Sequence, residues 1–427
     1  MTALIFISLA VLLVIGIPIA FALGLTTLFY FIVKNDPTFF PMIAQQLFEG
    51  MDMYLLLAIP FFILAGEIMR ASGITRNLVR FSNALVGHFR GGLAYVNIVA
   101  SIFFSGVTGS AIADTSAIGT VMIPSMVEDG YDLDFSAAIT AASSVIGPII
   151  PPSILMIIYS AVMDVSVAAM FSAGFIPGLL VGLSLCVLSY YYSMKRNYPK
   201  REKHATLREF LSSFKGAFVA LIMPMIILGG ILGGIFTPTE AAAVAVFYGF
   251  VIGFLSRGLK VDMIPKIMLS TVLTSATILF IIASAKTLGW LFVIEQIPQK
   301  VAMVFISITQ NRYLFLFIIN LLLFVVGMIM DPAVSILILG PVLAPAAINM
   351  GVHPLHFAII MCINLIIGLA TPPLGFILYI TCGITNLSVE RLSKAIFPFI
   401  LAEAAVVFLV TYIPFLPLWI PKLLGYI

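Results

Sequence analysis

Long apolar runs, separated by short polar stretches, recur from one end of the chain to the other. Residues 1–33, 54–69, 217–236, 239–255 and 395–420 each come near the roughly 20 apolar residues that one bilayer-crossing helix needs. The first run lacks a basic start and continues past any signal-peptide core, so it is expected to be one retained helix. The pattern predicts an all-α polytopic membrane protein with about a dozen membrane segments and no room for a separate soluble domain. Composition agrees, since 62% of the 427 residues are hydrophobic and 9% are charged.

Charge placement turns these segments into a topology. Basic residues cluster at Arg70 to Arg90, Lys195 to Lys215, Arg257 to Lys266, and Arg391 with Lys394, which together hold 16 of the 21 Lys and Arg. Such loops face the cytoplasm. Two crossings, 135–160 and 166–194, account for the path between the first two clusters. Residues 92–124 must then enter and leave on the cytoplasmic side as a re-entrant hairpin, its tip at Ser105-Gly-Val-Thr-Gly-Ser110. The same count makes 313–346 a hairpin entering from outside, with its tip near Gly327 to Pro332. It places the N-terminus inside and the C-terminus outside.

The two halves share a spacing. Gly130 and Gly351 are each followed after 17 residues by a glycine, Gly147 or Gly368, and then four and five residues on by Pro151-Pro152 or Pro372-Pro373. Asp114 precedes Pro124 by ten residues, as Asp331 precedes Pro341. Hairpins entering from opposite faces make these inverted-topology repeats, an architecture of secondary transporters.

The prolines carry the expected chemistry. Lacking an N–H, Pro148, Pro151 and Pro152 release the carbonyls of Ser144, Gly147 and Pro148, while Pro372 and Pro373 release those of Gly368 and Leu369. Each helix is therefore expected to break opposite a hairpin tip, where free carbonyls suit a cation such as Na⁺ and half-helix N-termini suit an anion. One Na⁺ site is expected around Ser105, Gly106, Ser110, Ser144 and Gly147. Its counterpart is expected around Gly327, Asp331, Gly368 and Thr371. Thr108, Ser143, Ser153 and Asn364 are the polar groups expected to meet substrate. Asp114 and Asp331 stand past the tips as helix caps or cation contacts. Lys286, alone within a span, is either a counter-charge for a substrate carboxylate or a structural group that pairs or snorkels. Lys300 and Arg312 flank the second hairpin outside and are candidates for docking a soluble partner.

Enzymatic motifs are lacking: there is no P-loop or HExxH sequence, and Cys186, Cys362 and Cys382 have no metal-type spacing. No cofactor is expected beyond coupling sodium ions, and no nucleic-acid partner.

The strings Ala58-Ile-Pro-Phe-Phe-Ile-Leu-Ala-Gly-Glu67, Ser105 to Asp114 continuing to Ile123-Pro124, Gly130-Tyr131, Gly147-Pro-Ile-Ile-Pro-Pro152 and Ala370-Thr-Pro-Pro-Leu-Gly375 resemble the large membrane subunit of tripartite ATP-independent periplasmic (TRAP) transporters. The resemblance covers nearly the whole chain. It implies an elevator-type, Na⁺-coupled importer of the ion transporter superfamily in a bacterial inner membrane. The implied partners are a separate small four-helix membrane subunit and a periplasmic substrate-binding protein that delivers a small carboxylate, of the sialic acid or C4-dicarboxylate class. It further implies scaffold helices over 1–90, a first transport repeat over 91–165, scaffold helices over 166–267 and a helix with an outer arm over 268–312. A second transport repeat over 313–387 and a C-terminal scaffold helix over 388–427 complete the chain. The competing readings are a stand-alone Na⁺/dicarboxylate symporter and a passive channel or structural subunit.

Overall fold

The structure is a computed structural model describing residues 2–200 and 205–427; residues 201–204, inside the basic linker expected on the cytoplasmic face, lie outside the described residues. Among the described residues there are helices and no strand. The chain opens with α1 (Thr2–Val14), α2 (Ile19–Val33), α3 (Phe40–Met51), α4 (Ala58–Ala71) and the amphipathic α5 (Thr75–Val86). The first hairpin is α6 (Gly92–Thr108) and α7 (Ala111–Glu128), and the first broken helix is α8 (Leu133–Ser144) and α9 (Ile154–Met163). Four long helices and an arm follow: α10 (Val167–Lys195), α11 (Leu207–Leu232), α12 (Pro238–Leu255), α13 (Ile264–Ile294) and α14 (Ile297–Ile308). The second hairpin is α15 (Arg312–Ile329) and α16 (Pro332–Asn349), and the second broken helix is α17 (Pro354–Gly368) and α18 (Phe376–Thr385). The chain closes with α19 (Val389–Tyr412) and α20 (Phe415–Leu423). Eight of the described helices are long and apolar enough to cross a membrane. Large apolar side chains such as Phe247, Met225 and Val187 face outward, each more than 60% exposed, as a lipid solvent demands.

Local sequence sets the boundaries. Thr206 with Glu209 and Thr237 with Glu240 form capping boxes that start α11 and α12, each satisfying two N–H groups that the helix leaves open. Asp331 accepts from the Ala333 N–H at 2.8 Å, with Pro332 at the first helical position.

The inverted repeat extends beyond the hairpins. From α6 to α10, each helix begins 220 to 222 residues before its counterpart from α15 to α19, and the two arms α5 and α14, 12 residues each, begin 222 apart. This register corrects one sequence match. Pro124 corresponds to Pro345 rather than Pro341, and Asp331 corresponds to the cap Ser110, so Asp114 falls opposite Ser335.

Residues 1–33 do not form one helix. Gly16, at φ +89°, lets the chain turn back, with its N–H on Leu13 O and that of Ile17 on Leu12 O, the glycine-terminated cap that ends many helices. Phe6 then meets Phe292, Phe21 meets Phe280 and Phe31 meets Trp290, so α1 runs antiparallel to α2 and starts level with the end of α13. The expectation of a cytoplasmic N-terminus rested on a single helix over 1–33, where the fold has two antiparallel ones. Both α11 and α13 run away from basic loops. The Tyr426 hydroxyl bonds Leu232 O at the end of α11 at 2.9 Å, which puts the two chain ends on the same side of the bundle.

At the centre lie α8 and α17, buried along almost their whole length. Helices α10 and α19, expected in the scaffold, pack on the broken helices. On α10, a Cβ added to Gly178 would meet Ile149 and Ile150 of the first break. On α19, Phe399 packs on Phe135, and Val410 O bonds the ring of His356. A second group gathers around α13, where Gly50 of α3 touches Ala283, and around α4, whose Ile68 meets Gly249 of α12. At the face of the basic loops, Arg196 and the Tyr198 hydroxyl converge on Asp132 at 2.7 and 2.8 Å, and Arg391 meets Asp134 at 2.9 Å.

Candidate functional site

The two tips meet the two breaks. At the first, Gly109 closes α6 at φ +57°, and a side chain there would strike the Pro152 carbonyl and come within 3.4 Å of Ser153 Cα. A Cβ on Gly147 would lie 3.5 Å from Ser110 O and 3.6 Å from Ala111 N. At the second, a Cβ on Gly327 would lie 3.2 Å from both Gly368 Cα and Leu365 Cα. Glycine is required at Gly109 and favoured at Gly327, where a Cβ would crowd the facing backbone, while the tip contacts at Gly147 are of ordinary length. Each break contains a cis X-Pro bond, Pro151–Pro152 or Pro372–Pro373.

Of the first expected sodium set, the fold brings together Ser110, Ser144 and Gly147. Ser110 caps α7, and Ser144 donates to Thr140 O at 2.8 Å while its own carbonyl takes the Gly147 N–H at 3.1 Å. Among the described residues the carbonyls of Gly147 and Pro148 accept no hydrogen bond, as proline chemistry requires. Ser105 lies one turn back, its carbonyl receiving the Gly109 N–H at 3.1 Å. A Cβ on Gly106 would stand 2.8 Å from the Pro224 ring of α11, so this glycine also permits close helix packing.

The second set holds together at Gly327, Gly368 and Thr371, with Asp331 occupied as the cap of α16. Its carbonyls differ from expectation, because the turn after α17 satisfies them: Gly368 O takes the Thr371 N–H at 3.0 Å and Leu369 O takes that of Ile377 at 3.1 Å. The Thr371 hydroxyl donates to Ile367 O at 2.9 Å. Its oxygen keeps lone pairs for another partner.

Among the residues expected to meet substrate, Ser143 and Asn364 occupy equivalent places, four residues before Gly147 and Gly368. Each binds an asparagine of the adjoining hairpin. Ser143 donates to Asn97 Oδ1 at 2.9 Å, and Asn364 donates to Asn320 Oδ1, which Thr411 also approaches. Asn97 and Asn320 were not singled out in the sequence, although a solitary amide in each apolar hairpin arm was a usable sign. Ser153 caps α9 through the Met156 N–H. The Thr108 hydroxyl is buried without a partner, and the residue packs on Gly66 of α4. Lys286 is exposed, its Cβ beside Gly50 of α3. Of the docking candidates, Lys300 reaches Glu295 at 3.9 Å, and Arg312 Nε is buried. Glu295 also takes the Tyr30 hydroxyl and Lys34, and these partners, Tyr30 first, hold its carboxyl below the usual range.

Duplicated hairpins of opposite entry, each pressed on a broken helix, define a polytopic secondary-transporter fold and not an enzyme. Residues 6–416 match the family described as "Tripartite ATP-independent periplasmic transporter, DctM component", and the chain belongs to it. A sialic acid TRAP transporter large permease protein of Vibrio cholerae is 40% identical over 413 residues, covering 96% of each chain. A C4-dicarboxylate TRAP transporter large permease protein of Rhodobacter capsulatus is 37% identical over 442 residues, covering both chains fully. The crystal structure of the Alcanivorax borkumensis YdaH transporter shares the fold, with a TM-score of 0.61 at 13% identity over 88% of each chain. As the large permease of a TRAP system, the chain works with a small membrane subunit and a periplasmic binding protein.

Proposed function

We propose that the chain is the translocating subunit of a Na⁺-coupled importer in a bacterial inner membrane, moving an anionic organic solute handed over by a periplasmic binding protein. The observation that carries this reading is the tip-to-break contact, present twice in opposite senses. The free carbonyls of Gly147 and Pro148 and the hydroxyl of Thr371 are hard oxygen donors of the kind a sodium ion takes. Near-equal identity to sialic acid and C4-dicarboxylate relatives supports the class of solute, not one member of it.

An elevator motion is the movement this packing favours. Buried hydrogen bonds join each hairpin to its broken helix, and each costs about 1–3 kcal/mol to leave unmade. Hairpins, broken helices, α10 and α19 therefore travel together. The α3, α4, α12 and α13 group stays behind, with α5 and α14 as the connecting arms. Both chain ends then face the periplasm.

Proteoliposomes containing this chain with its small subunit test the reading. Uptake of sialic acid or of a C4-dicarboxylate should require both an inward Na⁺ gradient and the binding protein. Uptake unchanged when K⁺ replaces Na⁺ would refute the coupling, and uptake without binding protein would favour the stand-alone symporter.

A further inference from the structure

The carboxylate of Asp114 has no place in the two tip-and-break sites. It lies in the first turn of α7, wholly buried, and neither oxygen accepts a hydrogen bond. The Ser101 hydroxyl of α6 lies beside it without closing a bond to it. That hydroxyl is 3.1 Å from Ser143 Oγ on α8, which continues to Asn97 and Thr140. No Lys, Arg or His is paired with Asp114 among the described residues. The repeat isolates it further. The corresponding residue of the second hairpin is Ser335, whose hydroxyl simply donates to Asp331 O at 3.0 Å. A role shared by both hairpins, such as capping, therefore does not account for it.

A helix N-terminus favours the ionised carboxylate. An ionised group buried in apolar surroundings must be paired or must coordinate a cation. We propose that Asp114, with the hydroxyl oxygens of Ser101 and Ser143, forms a further monovalent-cation site, one turn below the first tip and separate from the two sodium sites above. The inference rests on the sodium-coupled reading. It adds a carboxylate at a position that only the first hairpin charges, since the second carries its own, Asp331, at the cap, where the first has Ser110.

The test is equilibrium binding of radioactive ²²Na⁺ to the complex of this chain with its small subunit in lipid nanodiscs. Asp114→Asn keeps the shape and removes the charge, and it should lower the sodium bound per chain by one. Ser101→Ala keeps the carboxylate and should weaken one class of sodium about fivefold or more, as loss of one oxygen ligand of about 1 kcal/mol implies. Equal sodium counts in the wild type and Asp114→Asn overturn the site. If Asp114→Asn does not fold, an unaltered binding curve for Ser101→Ala overturns it. A wild type that binds no sodium refutes the coupling reading instead.

Discussion

Replacing Gly368 by alanine puts one methyl group where two backbones touch. The new Cβ would stand 2.5 Å from Gly327 Cα and 2.6 Å from its carbonyl oxygen, against 3.4–4 Å for ordinary contact. No side chain can rotate to relieve this, so the second hairpin must retreat from the second break by about 1 Å. Overpacking of this kind costs about 1–3 kcal/mol. If the cost falls on the state with the tip seated on the break, the sodium concentration for half-maximal uptake should rise about 5- to 150-fold. The assay is binding-protein-dependent uptake in proteoliposomes at graded Na⁺, with size-exclusion profiles to confirm assembly. Gly340→Ala is the control, because its Cβ would meet only the Met163 side chain at 3.5 Å, and it should leave the curve in place. A Gly368→Ala variant with an unaltered sodium curve and maximal rate would refute the reasoning.

Thr371→Val removes the hydroxyl of a buried residue, 4% exposed, and should raise the half-saturating Na⁺ about fivefold, for a net loss of about 1 kcal/mol, with assembly intact. Lys286→Met should leave the half-saturating substrate concentration unchanged, because the exposed side chain rises beside Gly50 of α3; a tenfold rise would assign Lys286 the counter-charge role. The Tyr198 hydroxyl and then Arg196 hold the Asp132 carboxyl below its usual range. Its contribution to stability is therefore present above that range and lost as pH falls through the lowered value. The gap in melting temperature between the wild type and Asp132→Asn should be constant near neutral pH and close below about pH 4.

Much of the architecture was legible because the bilayer removes options. Apolar run lengths and basic loops located both hairpins, and doubled prolines located both breaks, since a proline cannot be hidden in a helix without freeing a carbonyl. The N-terminal segment misled for a local reason. Gly16 and Pro18 sit inside a continuous apolar run, and hydropathy does not register a reversal made by one residue with φ of +89°. For Lys286 two roles stayed open, because sequence gives the depth of a charge along a helix but not the direction in which it points.

The candidate sites were legible to the extent that they depend on backbone. Glycines and prolines at fixed spacing mark where chain meets chain, and the fold joins Gly109 with Pro152 and Gly327 with Gly368 accordingly. Side-chain networks left a fainter trace, because hydroxyls and amides in apolar helices often bond only their own backbone; Asn97 and Asn320 became functional candidates once their partners on α8 and α17 were visible. The misregistered pairing of Asp114 with Asp331 shows the same limit in sharper form. Two Asp-to-Pro spacings of ten residues coincide, yet α7 and α16 are both 18 residues long and align cap to cap. Aligned so, the hairpins agree in their backbone and disagree in where the carboxylate sits, at the cap in Asp331 and in the fully buried first turn in Asp114. A duplicated scaffold preserves whatever both halves need to fold, so a difference between them that is costly to bury is the place to look for chemistry that only one half performs.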